Sequence, residues 1–391
     1  MGKILLNRCI KYCRQNILMF IALLILVASV VTVVLSLECT AYTILDGKTN
    51  SSEYENIEDG QFTTRFRLLE RELQKLADDH DVVIQEMFSA DYETRGITYR
   101  FFTNRPFIDK LSLNEGQKPI ATNDIVVEQI FALKNDLHVG DRIEIGSKIY
   151  KISGIGSIPD YGHPTKTRGD VGIVPEKFTW AIITDESFEE LLDARITESP
   201  EYTYSYLAGN TDIVKFSDDL PNCLAFVPRE DNRRMDVEIQ YAKLYRTLGF
   251  IIGSILIAML AYIFAVVTKN QIRNEHLTIG SLYALGISKS TIMIMYILPT
   301  LVITVLGGLI GLIVGLTPDV VSIAIDAFHK TNSFPYYEFS KPLILYLYAI
   351  VMPPLVSFCV NLVILNQTLS STALSLMRGT YEKISIAKSK I

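Results

Sequence analysis

Four stretches of the chain are apolar almost without a break, and the sequence between them alternates or turns polar. The runs are 17–37, 248–268, 292–316 and 343–365. Each has about the 20 residues a helix needs to cross a hydrocarbon core ~30 Å thick, with almost no charge inside. They predict four transmembrane helices, with a large insertion of about 190 residues between the first and the second.

The insertion, 38–228, carries both helical and strand periods. Asp46–Gly60 is rich in Gly, Ser, Asn and acidic residues and reads as an exposed loop. Phe62, Phe66, Leu69, Leu73 and Leu76 recur at steps of four and three, which predicts an amphipathic helix ended by Asp78-Asp79-His80-Asp81. Strand-like runs follow at Val82–Ile84, Ile97–Phe102, Ile125–Val127, Trp180–Thr184 and Tyr202–Leu207, with short helices at Glu128–Leu133 and Glu186–Asp193. Alternation through 138–146 and again through Lys148–Ile155, across a Gly turn, predicts a hairpin. The segment 160–170 is polar and reads as a surface loop. The fold expected is therefore four transmembrane helices with an α+β extracytoplasmic domain inserted between helices 1 and 2. From Arg229 to Arg246 no Gly or Pro interrupts the chain, so 229–247 is expected to be a stalk helix continuous with the second span.

Charge gives the orientation. Lys3, Arg8, Lys11 and Arg14 mark 1–16 as a cytoplasmic arm. Lys269, Arg273 and Lys289 put 269–291 on the same side, and Arg378, Lys383, Lys388 and Lys390 put the tail 366–391 there too. The 317–342 loop, with Asp319, Asp326 and Glu338 against Lys330 and Lys341, falls outside. The core of the first run is longer than that of a cleavable signal, and Ser-Leu-Glu-Cys-Thr after it lacks a small-residue cleavage pattern, so an uncleaved anchor is expected. The net charge of −6 gives no sign of nucleic-acid binding. Only Cys39 and Cys223 fall on the outer side, where a disulfide between them could persist.

Small residues stand at helical spacing in two spans. Gly307, Gly311 and Gly315 recur every four residues, and Gly249 and Gly253 repeat that step. Such glycines let helix backbones approach closely, and they are expected to form helix-packing faces and the subunit interface. Pro353-Pro354 predicts a kink in the fourth span.

Catalytic chemistry is hard to find. Gly280…Gly286-Ile287-Ser288-Lys289-Ser290 is the nearest approach to a phosphate loop, but the lysine is displaced and no strand precedes it. The five histidines, His80, His138, His163, His276 and His329, have no second metal-type residue at ligand spacing. The spans carry almost no ionisable residue, against an ion-coupled path. A non-catalytic chain without cofactor or metal is expected.

Glu275, then Ile279-Gly280-x-Leu282-Tyr283-Ala284-Leu285-Gly286, then Tyr296-x-x-Pro299 and Gly307-Gly308-x-x-Gly311 carry a resemblance to the FtsX-like permease family, the membrane subunits of MacB-type ABC transporters. The order of span, outer domain and three spans agrees, as does Val139-Gly140-Asp141 followed by Tyr150–Gly154. The style of the motifs and Leu374–Gly379 resemble the first half of permeases with two such modules. The resemblance implies a bacterial cytoplasmic membrane protein with both termini inside. It implies a cytoplasmic ABC-type ATPase partner that binds ATP and Mg, and a second permease subunit, identical or different. It implies mechanotransmission, with Glu275, Leu277, Ile279, Gly280, Leu282, Tyr283, Leu285 and Gly286 as the ATPase-contacting segment; Leu277, Leu282, Leu285 and Tyr283 would fill a groove on that partner. Export or outer handling of a peptide, lipid, drug or protein is the function implied. The alternative is an anchored sensor or wall-hydrolase-activating module without cargo.

Overall fold

The computed structural model describes residues 14–377 apart from 171, 194–200, 210, 236, 371, 373 and 375–376. The chain divides into two compact units. One comprises the chain up to Tyr42 with Leu244–Ala324 and the chain from Phe339, and the other comprises Thr43–Lys243 with Ile325–Glu338.

Among the described residues the α+β unit contains two sheets. Strands β1 (Gly60–Thr64), β2 (Val82–Glu86), β10 (Tyr202–Ala208) and β11 (Cys223–Pro228) form an antiparallel sheet in the order β11-β1-β10-β2. A seven-stranded mixed sheet has the order β3-β4-β9-β6-β8-β5, with β7 paired to β8. Its strands are β3 (Ser89–Thr94), β4 (Ile97–Phe102), β5 (Ser112–Gly116), β6 (Asp124–Glu128), β7 (Arg142–Ile145), β8 (Lys148–Ser157) and β9 (Phe178–Ile182). The strands expected near 82, 97, 125, 180 and 202 and the 142–155 hairpin are all present. Central strand β9 is buried at every position, with Trp180 at its middle, as expected of a run covered on both faces.

The expected 62–76 helix is corrected. Phe62 lies on β1, which is hydrogen-bonded on both sides, and the helix (α2) runs from Glu70 to His80. Phe62 stacks on Tyr204 at 5.1 Å between centroids, so pairing on both edges overrides the local helical period. Glu72 accepts a bond from the Leu69 N–H at 2.7 Å and sets the start of α2. Asp81 ends α2 with φ +51°, while His80 turns inward to 3.2 Å from Asp219, so the Asp-Asp-His-Asp cluster does not converge on one point.

Further helices of this unit are α3 (Gln129–Lys134), α4 (Asp185–Asp193) and α5 (Ile213–Asp218). The Glu128 carboxylate caps α3 through the N–H groups of Ile130 and Phe131, both at 2.7 Å. The 160–170 segment is also corrected: 160–165 is buried rather than a surface loop. Asp160 is bonded by the Arg105 guanidinium, and Tyr161 packs on Phe102 and Phe178.

Among the described residues four helices are long and apolar enough to cross a membrane. The first, α1, spans Ile17–Glu55 and extends through most of the expected Asp46–Gly60 loop. Asp46, Thr49, Asn50, Glu53 and Asp59 are exposed as expected, but some of the charged residues there serve the interior. Lys48 and Glu55 are both buried 3.9 Å apart, and Glu55 also accepts from Ser51 and Ser112. The second, α6, is one helix from Val237 to Ala284. Arg229–Asp231 forms a separate 3-10 turn, so the expected stalk begins at 237 rather than 229. α7 spans Lys289–Gly315 and α9 spans Leu343–Thr368, each helical through its prolines. The 317–342 loop holds a helix, α8 (Pro318–His329), and its 325–338 stretch belongs to the α+β unit. There His329 stacks on Phe334 at 4.0 Å, and the Ser333 N–H bonds the Gly162 carbonyl at 2.8 Å. The arm up to residue 13 and most of the tail after 370 lie outside the described residues.

Candidate functional site

The sequence segment with the densest motif content, 273–291, folds as the junction of α6 and α7. Helix α6 stops because Gly286 adopts φ +79°, a left-handed conformation that costs a side-chain-bearing residue about 1–2 kcal/mol. The Gly286 N–H bonds the Tyr283 carbonyl at 3.1 Å and the Ile287 N–H bonds the Leu282 carbonyl at 3.2 Å, the Schellman pattern. Ser288 then caps α7, its hydroxyl accepting from the Thr291 N–H at 3.3 Å. The segment that resembled a phosphate loop is thus a helix–turn–helix corner, and the Lys289 ammonium is spent on Asn366 Oδ1 at 2.8 Å.

Three ties fix this end. The Tyr296 hydroxyl of α7 donates to Glu275 Oε2 of α6 at 2.6 Å. Lys289 joins the start of α7 to the end of α9 through Asn366. One to two helical turns deeper, the Thr268 hydroxyl of α6 donates to Asn361 Oδ1 of α9, while Asn361 Nδ2 donates to Thr300 Oγ1 of α7 at 3.0 Å and to Ser357 at 3.2 Å. Asn361, Thr268, Thr300 and Ser357 are all buried, so one amide clasps three helices. Around these ties Ile272, Ile279, Ile292, Ile297 and Leu365 form an apolar cluster on which Leu282 and Tyr283 pack.

The eight residues expected to contact a partner therefore divide. Ile279 and Gly280 are buried, Leu282 and Tyr283 pack inward, and Glu275 is bonded within the chain. Leu277 and Leu285 are exposed, at 58 and 79 %, together with Gly286. Leu277, Ser281 and Leu285 stand four residues apart, so they make one exposed ridge at the end of α6. Leu282 and Tyr283, expected to join Leu277 and Leu285 in a partner's groove, are partly buried against the cluster beneath them.

The glycine faces are used inside the chain. A Cβ built at Gly311 would lie 2.6 Å from Val31 Cβ and 2.8 Å from the Ala28 carbonyl, and one at Gly307 would meet Val27 at 2.9 Å. Gly315 abuts Thr32, and Thr32 Oγ1 donates to the Gly311 carbonyl at 3.4 Å. Gly249 and Gly253 face Leu37, Glu38 and Val34 of the same first helix. α1 therefore occupies the faces that the sequence assigned to a subunit interface. The possible disulfide between Cys39 and Cys223 is not formed: each thiol is bonded to a carbonyl, Cys39 to Ser340 and Cys223 to Ala225, both at 3.3 Å. Among the described residues no group of three His, Cys, Asp or Glu side chains is placed to hold a metal ion.

Sequence reasoning passed over Asn361, Thr268 and Thr300. The signal was there: an amide in the middle of an apolar run has to find partners away from water.

No curated protein matches the chain. Residues 248–373, about a third of the chain and the part that holds the ridge, the ties and α7–α9, match the FtsX-like permease C-terminal family. That family consists of permease-type membrane components of ABC transporters, typically non-catalytic and generally working with an ABC ATPase. The chain thus carries, among the described residues, four helices long and apolar enough to cross a membrane, and its C-terminal part is similar to the C-terminal domain of FtsX-like permeases.

Proposed function

We propose that this chain is a permease subunit of the mechanotransmission type, moved by a separate ATPase that binds ATP and Mg and docks on the Leu277–Ser281–Leu285 ridge. The ridge lies on the cytoplasmic side in this reading, with both termini, and a second permease subunit completes the assembly. The observation that carries the proposal is the length of α6. From Val237 to Ala284 it is unbroken for 48 residues, about 70 Å at ~1.5 Å per residue, against a hydrocarbon core of ~30 Å. A helix of that length has turns to spare beyond the membrane, and a displacement applied at one end reaches the other without a hinge. The ties of Glu275 to Tyr296 and of Asn361 to Thr268 and Thr300 make α6, α7 and α9 respond as a group. Because the glycine faces hold α1, the second subunit pairs through other surfaces.

The test is affinity purification from the native membrane with mass spectrometry of the partners. The wild-type chain is expected to bring an ABC ATPase, and Leu277→Asp with Leu285→Asp is expected to lose it while still folding. Equal ATPase recovery by the double variant would refute the docking site.

A further inference from the structure

The α+β unit contains a cavity of about 300 Å³ lined from both of its sheets and from the 160–168 segment, buried through Thr165 and open beyond it. Its charges do not balance. Arg100, Lys166, Arg168 and Arg234 line it, opposed by Asp160 and Glu201. Two of these are already neutralised: Asp91 grips Arg100 with both oxygens at 2.7 and 2.8 Å, and Arg105 takes Asp160. Glu201 is exposed.

The other three cations bond only to neutral oxygens. Arg234, 5 % exposed, donates to the Tyr161 hydroxyl at 2.9 Å, to the Lys166 carbonyl at 2.6 Å and to Thr165 at 3.4 Å. Arg168 donates to Gln61 Oε1 at 2.7 Å, and its buried Nε has no partner. Lys166, exposed at the cavity mouth like Glu201, reaches Thr98 at 3.1 Å. Burial, with repulsion from Arg100 and Arg168, holds Arg234 below the usual guanidinium range. The Tyr161 hydroxyl accepts from Arg100 and Arg234, each at 2.9 Å. Both of its lone pairs are used, which leaves its own proton to donate.

A buried guanidinium normally has an anion against it. We infer that this cavity binds the phosphate group of a small ligand, clamped by Arg234 and Arg168, with Lys166 and the Tyr161 hydroxyl as further donors. A single carboxylate carries one negative charge, whereas a phosphate ester carries about −1.5 to −2 and three acceptor oxygens, closer to the three cations present. Arg forks suit such oxygens. Met87 and Phe102 give the cavity an apolar wall for the rest of the ligand, and the volume is at the lower end of ligand pockets, roughly 300–1,000 Å³. A soluble phosphate ester and the headgroup of a phosphatidic-acid-like lipid present the same chemistry.

The experiment is calorimetric titration of the full-length protein in an uncharged sugar detergent. The probes are inorganic phosphate, glycerol 3-phosphate and short-chain phosphatidic acid, on wild type, Arg168→Gln and Arg234→Gln. Saturable binding of at least one probe is expected, weakened tenfold or more by Arg168→Gln, at a half-buried position. Tighter binding of glycerol 3-phosphate than of phosphatidic acid would support a soluble ligand, and the reverse order a lipid. No binding of any probe, or equal affinity in wild type and a folded Arg168→Gln, would overturn the inference.

Discussion

The two units of this chain treat polar groups in opposite ways. In the helical unit the buried polar side chains described between spans join particular helices. Asn361 holds three of them together, and Thr32 ties α1 to Gly311. The α+β unit instead buries charge that its own partners leave unbalanced. Glu58 and Asp109 are buried together, and burial followed by each other's or Asp160's charge raises both carboxyls above their ordinary range. Arg105, 2 % exposed, has only Asp160 on one nitrogen, and its Nε and Nη2 have no partner. A unit whose polar groups are satisfied among themselves suits a part that moves as a piece. A unit with a cavity lined by more cations than carboxylates suits recognition. The family match, 248–373, falls mainly on the helical unit and takes in only the 325–338 stretch of the α+β unit.

The largest effect expected in the helical unit comes from the glycine face. Gly311→Leu drives a side chain into Val31 and the Ala28 carbonyl and is expected to cost at least about 3 kcal/mol, separating α1 from α7. Thermal unfolding in detergent reads this, and the loss should appear in the isolated subunit without any partner. A normal melting temperature would mean the face is free.

The α+β unit should instead show its burial through pH. Burial lowers His329 from 6.5 to about 4, so the folded state holds it neutral where the unfolded chain protonates. A depressed pKa gives stability that is present above the unfolded value and lost as pH falls from about 6.5 through 4, up to about 3 kcal/mol. The Gln129 amide donating to His329 Nδ1 at 2.7 Å, and the stack on Phe334, would be lost as 325–338 detaches. The protection of 325–338 against hydrogen exchange, corrected for the intrinsic pH dependence of amide exchange, should fall at pH 5, and His329→Gln should remove that acid dependence. Protection that is the same at pH 7 and pH 5 contradicts this account.

Smaller effects separate the ties. Asn361→Leu leaves the Thr268 and Thr300 hydroxyls without their shared partner and is expected to cost about 1–2 kcal/mol, in keeping with hydrogen bonds between membrane helices. Tyr296→Phe, which removes one bond to Glu275, should cost under about 1 kcal/mol in melting. It should nonetheless lower ATP turnover stimulated by the permease, since in the proposed reading α6 and α7 would then slip. Turnover unchanged in Tyr296→Phe would show that the tie is structural only.

Much of this was legible in the sequence, and the failures share a physical cause. Runs such as Ile97–Phe102 and Trp180–Thr184 announce themselves because their burial is decided by their own residues. Phe62 did not, because its place on β1 depends on Tyr204 and Phe226, more than a hundred residues away. β3, β5 and β11 were missed for the same reason: Ser112–Gly116 is polar and becomes a strand only against β8. Polarity misled where buried partners satisfy it, at Lys48 with Glu55 and at Asp160 with Arg105. At the candidate site the motif residues were visible, but their direction was not. A spacing of four between leucines is the same for a ridge and for a core, and only the cluster around Ile279 separates Leu285 from Leu282.

That separation offers the most direct test of the central claim. A photo-crosslinking residue placed in turn at Leu277, Ile279, Leu282 and Leu285 of the membrane-embedded protein should capture the ATPase from positions 277 and 285 and not from 279 or 282. Capture from the inward pair alone, or none from 277 and 285 in a complex that still copurifies with its ATPase, would contradict the account.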